Sequence, residues 1–285
     1  MISIKNKSVV ITGGGRGIGR ALAVACKKAG GLVTVAARSK TDLDETSAEL
    51  QAVNDLPHLA IRCDVTSTEE LKNLYSKAHE MFGPLHGLIC AAGVYGAIGP
   101  FAELNFDEWA KAIDINLTGT ARSIHTALPR MIAGSRIILF SGGGQAAMPN
   151  FSSYVTGKGG IWRLTETLGA ELASKQIYVN AIAPGAVNTK LLDDLLAAGP
   201  DKVGAEVYQK SIQQKKAGGQ GSEKAADLTL FLLSEKSTGL YGKTLSAVWD
   251  PYMDFKDLAK MSKSDIFTAK RVVDFDGNTR AAPTK

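Results

Sequence analysis

Seven short runs of mostly apolar, often β-branched residues recur along the chain: Ser8–Thr12, Leu32–Ala36, Leu59–Cys63, Gly87–Ala91, Arg136–Phe140, Ile177–Ile182 and Thr244–Val248. Between them lie amphipathic segments of helical length: Gly17–Ala29, Thr41–Asn54, Ser67–Phe82, Asn105–Ile132, Ser153–Lys175 and Glu223–Leu233. Runs that are apolar nearly throughout suit strands buried on both faces. Strands alternating with helices are the pattern of βαβ units joined into a parallel sheet. The chain is therefore expected to be an α/β protein with a doubly wound, mainly seven-stranded parallel sheet flanked by helices on both faces. Gly30-Gly31 and Gly83-Pro84 stand where helices should stop.

With 285 residues, 45% of them hydrophobic and 21% charged, there is material for one large core. We expect a single domain over residues 1–250, with a segment at 188–221 rich in Leu, Ala, Lys, Gln and Gly, read as helices and loops inserted before the last helix. Residues 251–285 read as a polar C-terminal extension. The net charge of +5 is dispersed rather than gathered in blocks, which argues against nucleic acid as a partner and suits an anionic cofactor or substrate. Cys26, Cys63 and Cys90 have no metal-ligand spacing and an odd count, so they read as buried free thiols, with no metal site. No apolar run reaches the ~18 residues of a membrane span. A soluble, cytoplasmic protein is expected.

Directly after the first run comes Thr12-Gly13-Gly14-Gly15-Arg16-Gly17-Ile18-Gly19, opening the first helix. Glycines between a strand and a helix allow a tight turn and close backbone approach to a pyrophosphate, which sits on the helix N-terminus. This makes the sheet Rossmann-type, with a dinucleotide against Gly13, Gly15, Arg16, Gly17, Ile18 and Gly19. The second run ends Ala36-Ala37-Arg38, where an acidic residue would bind the ribose hydroxyls of NAD. A guanidinium there suits a 2′-phosphate instead, and Arg16 supplies a second cation. NADP(H) is the expected cofactor.

Tyr154 and Lys158 share a helix face one turn apart. A free tyrosine titrates near 10, and a lysine ammonium beside it should lower that value. Ser141, at the end of the fifth run, could bind the same substrate oxygen. The three groups suit general acid–base chemistry at a carbonyl or alcohol. Ser152 and Ser153, where a helix begins, read as caps or turn residues.

Taken together these segments resemble the short-chain dehydrogenase/reductase family, in its short single-domain branch, over roughly Lys5 to Val248. Arg16 and Arg38 are similar to the basic pair of its NADP-preferring members. Cys63-Asp64-Val65 resembles the adenine-contacting site, with Asp64 and Val65 at the base. Cys90-Ala91-Ala92-Gly93 stands where the family commonly has Asn-Asn-Ala-Gly. The resemblance makes Ala91, Ala92 and Gly93 cofactor contacts, while both asparagines are missing. Asn116 matches the asparagine whose backbone carbonyl holds a proton-relay water. Pro184-Gly185-Ala186-Val187-Asn188-Thr189 resembles the nicotinamide loop, which implies contacts at Pro184, Gly185, Val187 and Thr189.

The resemblance implies hydride transfer between a nicotinamide and a carbonyl or secondary alcohol carbon. Tyr154 is then the acid/base, Ser141 orients the substrate oxygen, and Lys158 tunes the tyrosine. Tyr154 and Lys158 also contact the cofactor, and Asn116 serves the relay. The substrate is a small molecule bound by about 191–221. The family also implies a homotetramer or homodimer through the helices Asn105–Ile132 and Ser153–Lys175. A dehydratase or epimerase of sugar nucleotides, or a non-catalytic NADP(H)-binding regulator on the same fold, are the alternatives.

Overall fold

Period-two alternation along the strands sorts their side chains onto two faces. In β1 (Ser8–Thr12), Val9 and Ile11 belong to one buried cluster and Val10 to the other. The same split recurs in β4 (Leu85–Cys90), with Ile89 on one face and Leu88 and Cys90 on the opposite one. In β5 (Met131–Phe140), Ile138 and Phe140 oppose Ile137 and Leu139. The first face is covered by α1 (Gly17–Lys28), α2 (Lys40–Val53) and α10 (Glu223–Leu233), through Leu22, Leu43, Leu50 and Phe231. The second is covered by α3 (Thr68–Phe82), α5 (Gly119–Ala127) and α6 (Ser152–Leu172), through Leu71, Ile124 and Ile161.

This arrangement comes from a computed structural model that describes residues 2–142, 146–218 and 221–269. Gly143 and Gly144, after Ser141, lie outside the described residues, as do 219–220 of the inserted segment and 270–285 of the expected extension. The sheet is parallel throughout, in the order β3-β2-β1-β4-β5-β6-β7. The remaining strands are β2 (Leu32–Ala37), β3 (His58–Arg62), β6 (Tyr178–Ala183) and β7 (Thr244–Ser246). Chain direction across the sheet reverses between β1 and β4. In open doubly wound sheets that is the switch point where a crevice opens at the carboxyl ends of the strands.

Three expectations need correction. The long helix Asn105–Ile132 is broken into α4 (Phe106–Ile113), a wide π turn at Asp114–Thr118, and α5. Gly119 lies so close to β3's following loop that a Cβ there would be 2.8 Å from Val65. Pro129 sits in a tight 3-10 turn, Leu128–Arg130, and β5 starts directly afterwards at Met131. Secondly, Ser152 and Ser153 do not cap α6. Ser152 Oγ accepts from Trp109 Nε1 (3.0 Å) and Ser153 Oγ donates to the Tyr95 carbonyl (3.1 Å). Thirdly, the chain after Trp249 is not simply a polar tail: Tyr252, Phe255, Leu258, Met261 and Phe267 pack on the first core face.

The segment 188–221 does form helices and loops, with α7 (Lys190–Ala198), α8 (Pro200–Val203) and α9 (Ala205–Lys216). The chain ends its described course with α11 (Leu258–Ser262) and a stretch in which the Phe267 carbonyl accepts from Thr244 N–H (3.1 Å). All three cysteines are buried and free. No helix among the described residues is long and apolar enough to cross a membrane.

Helix α6 approaches the sheet through small residues. A Cβ on Gly169 would lie 2.6 Å from the backbone of Gly242, in a turn pinned by Asn180, which donates to the Leu240 carbonyl (2.8 Å) and accepts from Lys243 N–H (3.1 Å). Gly169→Ala is expected to cost about 1–3 kcal/mol by overpacking, seen as a lower urea midpoint at unchanged slope. An unaltered midpoint would show that this turn yields freely.

Candidate active site

Backbone-on-backbone contact builds the first part of the site. Gly13 (φ +72°) faces the end of β4 so closely that a Cβ would sit 2.5 Å from Ala92 N, and one on Gly19 would sit 2.2 Å from the Gly13 carbonyl oxygen. The Gly15 carbonyl is drawn away by Arg20, through Nε (3.0 Å) and Nη2 (2.6 Å), and by Thr46 Oγ1 (2.9 Å). Arg16, preceding α1, makes no side-chain cap, and the first turn holds no acidic residue. The helix N-terminus is thus left open to an anion.

A cavity of about 520 Å³ opens at this point. It is lined by Gly13, Gly15, Arg16, Gly17, Ile18 and Gly19 from the glycine turn, Arg38 after β2, Asp64 and Val65 after β3, Ala91, Ala92 and Gly93 after β4, and Thr189 before α7. Its volume, the glycine cradle and the two guanidinium groups fit a dinucleotide. Pro184, Gly185 and Val187 do not line it: Gly185 (φ +82°) and Val187 close a tight turn (N–H to carbonyl 3.2 Å), and Pro184 packs 3.0 Å from where a Gly142 Cβ would be.

The end of β2 carries Ala37 and Arg38 rather than an acidic residue, yet the site is not free of carboxylate. A carboxylate does stand near the guanidinium groups: Asp42, in the first turn of α2, lines the cavity with Oδ2 3.9 Å from Arg16 Nη1. It was missed because it follows the end of β2 by a helical turn rather than ending the strand. Asp64 lies 3.9 Å from Arg38. Burial works to raise Asp64, and this is outweighed by the Thr66 N–H (2.9 Å) and hydroxyl (2.8 Å), with Arg38 and Arg62 adding to the lowering. Val94, Ile115, Lys190, Leu191 and Asp194 also line the cavity without having been singled out.

None of the four residues expected to carry the chemistry lines this cavity; Asn116 and Lys158 come up to it at Gly93. A Cβ on Gly93 would be 3.0 Å from Asn116 Oδ1 and 3.7 Å from Lys158 Nζ. Asn116, fully buried in the π turn, accepts from Val94 N–H (2.9 Å) and donates to the Val94 carbonyl (2.8 Å). Its own carbonyl accepts from Thr120 Oγ1 (2.8 Å). π turns in helices occur frequently at functional sites. Ser141 directly follows Phe140, and alternation turns it toward the α6 face. Its hydroxyl is buried and has no hydrogen-bond partner among the described residues.

Lys158 is buried, donates to the Phe140 carbonyl (2.8 Å), and sits 5.7 Å from the centroid of the Tyr154 ring. Burial pushes its ammonium down to about 8, against a raising influence from Cys90. Tyr154 behaves contrary to expectation. Burial raises its phenol well above the ordinary value and the neighbouring Tyr95 adds to that, because a phenolate in an apolar site is costly and Lys158 spends a hydrogen bond on Phe140. Where the family commonly has asparagine, Cys90 is a buried thiol pushed up to about 12 by burial, with Thr12 and Lys158 opposing. Among the described residues no cluster could hold a metal ion.

Comparison with known proteins agrees with this geometry. The family model described as short chain dehydrogenase matches residues 7–198. The chain is 32% identical to the short chain dehydrogenase/reductase astE of Aspergillus oryzae over 86% of its length and 94% of that protein. Its fold is similar to NAD+-bound xylitol dehydrogenase (TM-score 0.78, 26% identity, covering 85% of this chain and 97% of that one). It is similar to the same degree to a variant of actinorhodin polyketide ketoreductase with NADPH (TM-score 0.77, 26% identity, covering 89% of this chain and 100% of that one). A glycine cradle at the switch point, a cavity of dinucleotide size and the tyrosine–lysine helix beside it place the chain in the short-chain dehydrogenase/reductase family of oxidoreductases.

Proposed function

We propose that this protein is an NADP(H)-dependent oxidoreductase that interconverts a carbonyl compound and a secondary alcohol, with Tyr154 as the general acid and base. The observation that carries the reading is the buried hydroxyl of Ser141, unpartnered among the described residues, directly after the Phe140 carbonyl to which Lys158 of the Tyr154 helix donates. An orphaned buried hydroxyl is costly and is satisfied by a substrate oxygen.

The cofactor supplies or accepts the hydride. The glycine turn, Arg16 and Arg38 hold its phosphates, and Gly93 and Thr189 border it. Ser141 donates to the substrate oxygen and orients it. Tyr154, with its raised pKa, stays protonated through neutral pH and gives its proton to that oxygen on reduction. Lys158 compensates the phenolate left behind. Asn116 fixes the Val94 backbone, and the free lone pair of its carbonyl holds the relay water. Tyr154→Phe should lower turnover by about 10²-fold or more, as expected for loss of a general acid, while cofactor binding by fluorescence titration persists. Full activity in that variant would refute the assignment.

Lys158 carries its charge below about pH 8 and loses it above. Its support for the phenolate is therefore present at neutral pH and lost as pH rises. The kcat/KM of reduction should fall on an alkaline limb near pH 8, and Lys158→Arg should move that limb upward because a guanidinium does not titrate there. A profile flat to pH 10 would count against the role.

Arg16 and Arg38 support NADP(H) over NAD(H). Their contacts to Asp42 and Asp64, at 3.9 Å with the arginine side chains 46% and 49% exposed, are long and weak enough for a 2′-phosphate to displace. NADPH should bind more tightly than NADH, and Arg38→Ala should weaken NADPH about tenfold more than NADH, as loss of a charge-assisted phosphate contact predicts. Tighter NADH binding in calorimetry would reverse the cofactor assignment.

A further inference from the structure

We infer that the substrate is an apolar cyclic or aromatic ketone, or the matching alcohol, and that Tyr95 is the residue that selects it; the inference rests on the hydride-transfer reading above. The carbonyl carbon takes a hydride from the reduced cofactor and its oxygen takes the Tyr154 proton. The C=O becomes CH–OH as the cofactor is oxidised.

The ring of Tyr95 stands edge-on to that of Tyr154, centroids 4.7 Å apart at 62°, and in the same manner to Phe151, 5.3 Å apart at 61°. Phe151 is fully buried. Edge-to-face aromatic pairs of this spacing are attractive beyond their buried area. The backbone under Tyr95 is held at each residue. Val94 is bound at both its N–H and carbonyl by Asn116. The Tyr95 carbonyl accepts from the buried Ser153 hydroxyl (3.1 Å). Gly96 adopts φ +73° and backs so tightly on α4 that a Cβ would be 2.3 Å from Ala112 Cβ. The Tyr95 ring is thus a fixed wall rather than a surface side chain.

The two rings belong to a third apolar cluster, separate from both sheet faces, built on Phe151, Leu195 and Val203 with Met148, Leu196 and Tyr208 packed against it. Beside it a second cavity of about 570 Å³ is lined by Tyr95 and shares Val94 with the cofactor cavity. Its charged residues, Glu103, Glu108, Asp194 and Lys202, are all exposed, and Asp194 also lines the cofactor cavity; the aromatic part of its wall is Tyr95, whose ring contacts that of Tyr154. A polyol pressed against the rings of Tyr95, Phe151 and Tyr154 would lose water from its hydroxyls, whereas an apolar ring would stack or pack without that loss. The raised pKa of Tyr154 reports the same apolar surroundings.

Two ketones of similar size separate the cases: an alicyclic or bicyclic ketone and a keto-sugar, each assayed with NADPH. The wild-type protein should prefer the apolar ketone in kcat/KM by about tenfold or more, the scale on which apolar pocket contacts discriminate. Tyr95→Ala should erase most of that preference, chiefly through KM, and Tyr95→Phe should restore it. Binding is read apart from turnover as the rise in melting temperature that each ketone gives Tyr154→Phe with NADP+ present. If the apolar ketone alone stabilises that variant but neither ketone is reduced by the wild type, the substrate class stands and the hydride-transfer reading fails. Equal binding and turnover of both ketones, or an equal loss for both in Tyr95→Ala, overturns the inference.

Discussion

A single side-chain amide joins the two halves of the site. Asn116 occupies both backbone hydrogen-bonding groups of Val94, as a neighbouring strand would, at a point where β4 has run out of strand neighbours. A buried backbone N–H and carbonyl left without partners would each be costly, so the amide is required for the loop after β4 to lie where it does. That loop is the shared wall of the cofactor cavity and the cavity beside Tyr95. The π turn around Asn116 follows from the same demand. It widens the helix at the one residue whose side chain must reach back across to β4, and Gly157 leaves room on α6, where a Cβ would meet Asn116 Cβ at 3.1 Å.

The polar groups near Tyr154 depart from the economy of the core. Buried polar groups are normally paired, yet Ser141 Oγ is orphaned, and the buried Lys158 ammonium has a single carbonyl acceptor and no carboxylate in contact among the described residues. Asn180, between β6 and the turn before β7, shows the usual care, with both ends of its amide engaged. Thr34 Oγ1 and Ser8 Oγ, within the sheet, are without partners among the described residues too, as are Tyr75 Oη, Arg136 Nε, Trp162 Nε1 and Thr244 Oγ1, and none of these, like Ser141, lines either cavity. What sets Ser141 apart is its place directly after the Phe140 carbonyl that accepts from the buried Lys158 ammonium, where the proposed mechanism supplies both groups with a ligand.

Much of this was legible in the residues. Continuous apolar runs and amphipathic intervals gave every strand and the parallel sheet, because both signals depend on burial alone. The glycine turn disclosed the cofactor cradle since close backbone approach admits no other residue type, as Gly13 and Gly19 demonstrate. What escaped were features set by tertiary partners. Nothing local in Asp114–Thr118 announces a wide turn; it is imposed by Val94 and Val65. Asp42 was overlooked because the helix that carries it folds back over the cavity. The fate of Ser152 and Ser153 depended on Trp109 and Tyr95, distant in sequence. The tyrosine's electrostatics were misjudged for a similar reason: proximity to Lys158 could be inferred from spacing, but the desolvation that dominates it could not.

The last described turn of the chain is stitched to the helix that carries Tyr154 and Lys158. Arg163 Nη2 donates to the Ala269 carbonyl (2.7 Å), and Glu166 accepts from Ala269 N–H (2.5 Å). The Phe267 carbonyl meanwhile occupies an N–H of the edge strand β7. During synthesis, α6 leaves the ribosome long before these partners do. The nascent chain therefore carries an incompletely braced α6 and an open β7 edge until Phe267 and Ala269 have emerged, so the bracing of this helix waits on partners 103 and 106 residues further along the chain rather than on the folding of the glycine-turn half.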